Sequence, residues 1–281
     1  MMPTVTKNLI IINVLVFFGT IVAQRYGLDL TNYLGLHFFL ASDFNPAQLI
    51  TYMFMHAGLL HILFNMLWLY WFGSLFLHFF SAKHLRGLYI LGGILGGLLY
   101  MVAYNVFPLF NQEVAVSTLV GASASVLAIV AATAYREPNY RVQLFLFGAI
   151  RLKYLALVVI GIDILSITSS NAGGHIAHLG GALAGLWFAA SLSKGTDLTS
   201  WINWILDGFI SLFQKKTWKR KPKMKVHYGN SATGREKDYD YNAHKKAQSD
   251  EVDRILEKLK KSGYDSLTTE EKKSLFDASK R

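Results

Sequence analysis

Cysteine is absent from the 281 residues, which excludes disulfides, a thiolate metal site and a thiol nucleophile. Charge is scarce as well: Asp, Glu, Lys and Arg make up 16% of the chain against 52% hydrophobic residues, and the mean hydropathy is positive. So little charge cannot cover an ordinary soluble domain, and the chain reads as a membrane protein. Apolar stretches near the ~20 residues that a bilayer demands fall at 8–24, 57–80, 84–105, 115–135, 153–169 and 174–193. The expected fold is all-α, a polytopic membrane helix bundle of six transmembrane helices with both termini on one side.

Basic residues are missing from one set of loops. Lys7 precedes the first span, Lys83 and Arg86 lie between the second and third, and Arg136, Arg141, Arg151 and Lys153 flank the loop after the fourth. The opposite side receives Arg25 alone, because "NVFPLFNQEVAV" and "SSNAGG" carry no Lys or Arg. By the positive-inside rule the N- and C-termini face the cytoplasm. Spans two, four and six then run inward, and residues near their starts share a depth. The first outer loop, 25 to 56, carries Tyr33, Phe38, Phe39 and Phe44 and is expected to lie in the membrane interface. The first span lacks a small-x-small cleavage site and is kept as a span rather than a signal peptide. A short basic N-terminus without a presequence, together with the type of tail, favours a bacterial inner membrane.

The net charge of +10 belongs mainly to the tail, where 20 Lys and Arg stand against 13 Asp and Glu from Lys194 onward. A cluster such as "KKTWKRKPKMK" directly after a membrane core suits anionic lipid head groups, or marks the cytoplasmic side, better than it suits nucleic acid. Four regions follow. Residues 1–193 form the membrane core, and 194–214 an interfacial amphipathic helix with Trp201, Trp204, Ile205, Gly208, Phe209 and Leu212 on one face. Residues 215–249 read as a basic flexible linker. Residues 250–281 read as a small cytoplasmic helical hairpin: Val252, Ile255, Leu256 and Leu259 make a stripe, Gly263 stops it, and Thr268 with Glu271 forms a capping box. The partner of that hairpin is not named by its sequence.

Polar side chains within the spans each need a reason. His61 and Asn65, four residues apart, share one helix face. Ser123 in "VGASASVLAIV" is placed about two turns into span four, and His178 about one turn into span six. A lone membrane serine usually bonds the carbonyl one turn back, and a lone histidine usually packs. Together at one depth on three inward-running spans, they supply a nucleophile, a general base and an oxyanion site. Ser123 is the nucleophile, His178 the base, and His61, Asn65 and the Ser123 N–H the oxyanion donors. Gly121 on one helix, and Gly181, Ala182 and Gly185 on the other, provide the small face that lets the backbones approach. Gly92, Gly93, Gly96 and Gly97 are a packing device of the same kind. Ser125 points ~200° around the helix from Ser123 and cannot share its base. Asp163 is a rival catalytic group as a third triad member. Its expected position near mid-membrane reads instead as a structural hydrogen-bonding residue, which leaves a Ser-His dyad.

These residues resemble the rhomboid family of intramembrane serine proteases. The likeness rests on "HAGLLHILFN" as H-x-x-x-x-H-x-x-x-N, on "GAS" as G-x-S and on "AHLGGALAG" as A-H-x-x-G-x-x-x-G, in the family's order on the second, fourth and sixth spans, and covers about residues 5 to 193. It implies a rhomboid-like bundle, transmembrane-protein substrates, the same roles for Ser123, His178, His61 and Asn65, and a supporting role near the cavity for His56. It also implies gating by the fifth span and first loop, with no cofactor and no metal. Ala124 stands where many relatives have a second glycine, and Ala47 and Gln48 stand where many have Trp-Arg, which bears on how the first loop is anchored. The competing readings are a proteolytically inactive rhomboid-like protein that binds transmembrane clients, and a transporter using histidines as a proton relay. The second is opposed by the lack of an internal repeat.

Overall fold

A helix satisfies its own backbone polar groups, which is what a bilayer requires of an apolar run. The computed structural model describes residues 2–110, 117–144, 148–169, 171–213 and 232–279, in two units that divide after Lys215. The first unit begins with α1 (Thr4–Arg25), α2 (Leu30–Leu34), β1 (Leu36–His37), α3 (Gln48–Thr51), α4 (Leu59–Phe76) and α5 (Ala82–Val106). It continues with β2 (Thr118–Leu119), α6 (Ser123–Arg136), β3 (Arg141–Leu144), β4 (Gly148–Arg151), α7 (Leu152–Leu165), α8 (Ala172–Leu192) and α9 (Ser200–Phe213). The architecture is an all-α polytopic membrane bundle. Among the described residues, α1, α4, α5 and α8 are long and apolar enough to cross a membrane.

The other two expected spans are shorter. At 14 residues each, α6 and α7 are ~21 Å long, less than the ~30 Å hydrocarbon core. For α6 the reason is its place at the centre, where every residue from Ala124 to Ala134 is buried. Non-helical backbone is tolerated at membrane depth when protein or a cavity, not lipid, surrounds it. The expected span 115–135 is corrected accordingly: within it Thr118–Leu119 form strand β2, paired antiparallel with β1, and the helix starts only at Ser123. An apolar run rich in Val, Ser and Thr does not by itself distinguish a buried strand from a helix. The expected fifth span, 153–169, likewise ends early, at Leu165.

Glycines set the spacing of the central helices. A Cβ on Gly181 would overlap the Ala124 carbonyl oxygen, and one on Gly185 the Ala128 carbonyl oxygen, so α8 lies with its backbone against α6. On α5, Gly92 and Gly96 abut Ala128 and Ala124, while Gly93 and Gly97 face Met53 and Leu36. One helix thus packs closely on α6 and on the first loop. Ser125 is fully buried on this face, its hydroxyl 3.9 Å from the Met53 sulfur.

The first loop folds back onto the protein, burying Leu36 and Phe38. Gln48 anchors it. Its buried side chain accepts from the His37 and Asn45 amides at 3.3 and 3.2 Å and donates to the Asp43 and Tyr33 carbonyls at 2.8 and 3.3 Å. The Tyr52 hydroxyl adds a 2.6 Å bond to the Gly93 carbonyl. Four hydrogen bonds from one amide side chain thus hold the loop without a Trp-Arg pair.

The helix α9 docks on the start of α5. Asn203 donates to the Lys83 carbonyl at 3.1 Å and accepts from Arg86 at 2.7 Å, and Asp207 pairs with Arg86 and Lys83. Hydrogen bonds from Arg86 and then Lys83 hold the Asp207 carboxyl below its ordinary range. Trp201, Trp204, Ile205, Phe209 and Leu212 stay exposed.

The second unit holds α10 (Ala232–Ser262) and α11 (Thr269–Ser279). The expected linker 215–249 is corrected over its latter part, because α10 begins at Ala232, well before residue 250. Past Gly234 this stretch contains no Pro or Gly before Gly263, so nothing interrupts propagation of the helix. Residues 215–231, the rest of that linker, lie outside the described residues. Gly263 ends α10 with φ +78°, a left-handed value that glycine adopts without strain. Thr268 and Glu271 exchange the two hydrogen bonds of a capping box, at 2.8 and 3.3 Å.

Candidate active site

A cavity of about 950 Å³ opens at the end of the bundle where α4, α6 and α8 begin, and His61, Asn65, Ser123 and His178 all line it. Three separate helices therefore bring the four expected residues to one space. Apolar side chains from α4 and α7, among them Leu60, Phe64, Trp68 and Val159, form another part of its wall.

Ser123 is the first residue of α6 rather than two turns inside it, which corrects its expected placement. The change has chemical weight. N–H groups in a helix's first turn have no intrahelical acceptor, and the positive end of the helix dipole favours an anion there. The Ser123 amide thus lies where a helix end favours an anion. Among the described residues the Ser123 hydroxyl makes no hydrogen bond. Serine and imidazole line the same cavity.

Local backbone explains why His61 reaches this point. Gly121 has φ +132°, and a Cβ there would lie 2.9 Å from His61 Nε2. Its amide donates to the Tyr52 carbonyl at 3.0 Å, which ties the turn before Ser123 to the first loop. Only glycine gives both the positive φ and the room for the imidazole. The Ala57 N–H donates to His61 Nδ1 at 3.4 Å. In the neutral ring this assigns the proton to Nε2 and makes that nitrogen a donor toward Gly121 and Ser123. Asn65 spends one amide hydrogen on the His61 carbonyl, at 2.9 Å, and its side chain lines the cavity. His56 is buried and packs edge-on against His61, with ring centroids 5.1 Å apart. Burial pulls its pKa down to about 4, so it stays neutral at pH 7 beside the His61 ring.

Ala124 turns away from the cavity, with its methyl against Gly96 of α5, so it does not crowd a substrate. Gly181 and Gly185 are not lining groups. Their contribution is the backbone approach that brings α8 to α6.

Asp163 requires correction. It is buried near the end of α7, and its Oδ1 lies 2.8 Å from both His178 Nδ1 and His175 Nδ1. The expected mid-membrane placement fails because α7 stops at Leu165, which puts Asp163 in its last turn beside α8. His175 was not singled out from the sequence. Its three-residue spacing from His178, which puts both rings on one helix face, was the available signal. These three residues also bring metal-ligating atoms within 4.8 Å of one another. Each 2.8 Å spacing fits an imidazole N–H donating to the carboxylate, a tautomer assigned from that geometry.

A model of the Rhomboid domain matches residues 44–195, a stretch that holds every residue of the site. A family of unknown function (DUF6576) matches residues 235–281. The RHOMBOID-like protein 12, mitochondrial, of Arabidopsis thaliana is 31% identical over 156 residues, covering 52% of this chain and 46% of that protein. The chain thus spans about half the length of this curated relative.

Proposed function

Because the chain belongs to the rhomboid family, we propose that it is an intramembrane serine endopeptidase that cleaves transmembrane segments of membrane proteins at the cavity end of the bundle. The observation that carries this reading is the convergence of Ser123, His178, His61 and Asn65 on one cavity from three helices. A substrate helix entering from the lipid unwinds at its end and offers a carbonyl, so helix-breaking residues in the substrate favour cleavage. The Ser123 oxygen attacks the carbonyl carbon while its proton passes to His178 Nε2. The displaced oxygen takes the negative charge and is held by the Ser123 N–H, His61 Nε2–H and the free Asn65 amide hydrogen. Collapse breaks the peptide bond, and the leaving amine takes the proton from His178. Water then gives His178 a proton as it attacks the acyl-serine, the proton returns to Ser123, and the carboxylic acid product leaves.

Lys and Arg distribution supports cytoplasmic termini in a bacterial inner membrane, with the cavity facing outward. The exposed Trp and Phe face of α9 and the basic stretch after it suit an interface carrying anionic lipids. The alternative is a rhomboid-like protein that holds transmembrane clients without cutting them, and the unpartnered Ser123 hydroxyl is the observation in its favour. Reconstitution with a single-span model substrate separates the two. Cleavage by the wild type and none by His178→Ala supports the peptidase. Substrate retention without cleavage by the wild type overturns it.

A further inference from the structure

We propose that Asp163 is a positioning residue for His178, so that this protein works with a Ser123–His178–Asp163 triad rather than a dyad. The proposal rests on the peptidase reading and adds to it a residue of α7. A neutral imidazole has one donor nitrogen and one acceptor nitrogen. With Asp163 Oδ1 at 2.8 Å from His178 Nδ1, the proton belongs on Nδ1, where a carboxylate can accept it. The lone pair is left on Nε2, the nitrogen that must take the serine proton. When it does, the imidazolium lies beside a negative oxygen. No proton moves to Asp163 at any step.

His175 makes the arrangement specific. Its Nδ1 lies 2.8 Å from the same oxygen, and its ring meets that of His178 edge-on, with centroids 5.9 Å apart. Two donors pin Oδ1, while Oδ2 is buried and has no partner among the described residues. A buried carboxylate with an unsatisfied oxygen costs stability. A residue needed only to brace α7 against α8 has no use for the charge, whereas a base that becomes cationic during turnover does.

The test compares wild type, Asp163→Asn, His175→Ala and His178→Ala on one reconstituted single-span substrate, with kcat and KM separated. Asparagine keeps the shape and one acceptor oxygen but loses the charge. The expected result is a kcat lower by ~100-fold to 10,000-fold, with KM and thermal stability near wild type and a much smaller loss for His175→Ala. A kcat for Asp163→Asn near that of the wild type overturns the proposal. So does an equal loss in His175→Ala, or a loss confined to KM. Nitrogen-15 NMR of the histidine rings in wild-type protein gives a readout that needs neither turnover nor a folded variant. His178 should carry its proton on Nδ1, and the opposite tautomer overturns the proposal. An inactive wild type would count against the peptidase reading, whereas an active wild type matched by Asp163→Asn would count against the triad alone.

Discussion

Two of the expected spans, α6 and α7, are shortened to the same length and differently held. Every residue of α6 from Ala124 to Ala134 is buried, and glycines on α5 and α8 bring those backbones against it. Its neighbour α7 buries only Leu152, Ala156 and Asp163, while Leu157, Val158, Ile162, Ile164 and Leu165 face outward. The proposed nucleophile rides on the first, and a polar tie to the proposed general base comes from the second. Position is therefore set by close packing, where a methyl group matters, and orientation by a hydrogen bond that a loosely packed helix can carry. Small residues at a membrane interface give the one, and a buried charge gives the other.

Substitutions can break this contrast at either side. The largest expected effect is from Gly181→Leu, which drives a side chain into the Ala124 carbonyl and forces α8 off α6. Labelling by a fluorophosphonate probe should fall by more than ~100-fold, since a displacement of about 1 Å can cost that much, and the melting temperature should drop with it. Next comes Asn65→Ala, which removes one oxyanion donor. Turnover should fall ~100-fold to 1000-fold while the melting temperature stays close to wild type, which separates chemistry from packing. Ser125→Ala deletes a hydroxyl whose described contact is a sulfur at 3.9 Å, and turnover should stay within about threefold, as a change of less than ~0.7 kcal/mol implies. A large loss there would mean that the two serines of α6 do not differ in role.

The smallest effect on turnover concerns the second unit. The Glu271 carboxyl is pushed down to about 2 by hydrogen bonds from Lys258 and the Thr268 amide. A depressed carboxylate stabilises the fold at pH values above its ordinary range, and the contribution is lost as pH falls toward about 2. Circular dichroism of the tail should show stability decreasing between the ordinary carboxylate range and that value, and Glu271→Gln should flatten the dependence. Cleavage at neutral pH should be unaffected by that substitution.

Most of the candidate site's shared faces were legible because spacing along an apolar helix is rigid. His61 and Asn65 share a face at four residues, and Gly181 and Gly185 repeat at three and seven from His178, whatever the exact ends of the helices. What depended on those ends was not legible. Ser123 opens its helix because the backbone before it pairs with β1 and turns at Gly121, and hydrophobicity does not show either event. Asp163 looked too deep for the same reason, since "ILSIT" continues an apolar run that the structure breaks at Leu165. Gln48 stands where many relatives have an arginine, and the residue type alone does not show that its amide, with two donors and two acceptors, anchors a folded loop. The tail helix extends past its apolar stripe because nothing in that polar stretch interrupts it.

The central claim is that Ser123 is a nucleophile whose base is His178. Mass spectrometry of the fluorophosphonate-treated, membrane-reconstituted protein tests it most directly. The account predicts a single adduct on the peptide holding Ser123, lost in Ser123→Ala and strongly diminished in His178→Ala. No adduct on well-folded wild type, or one that survives Ser123→Ala, would contradict it.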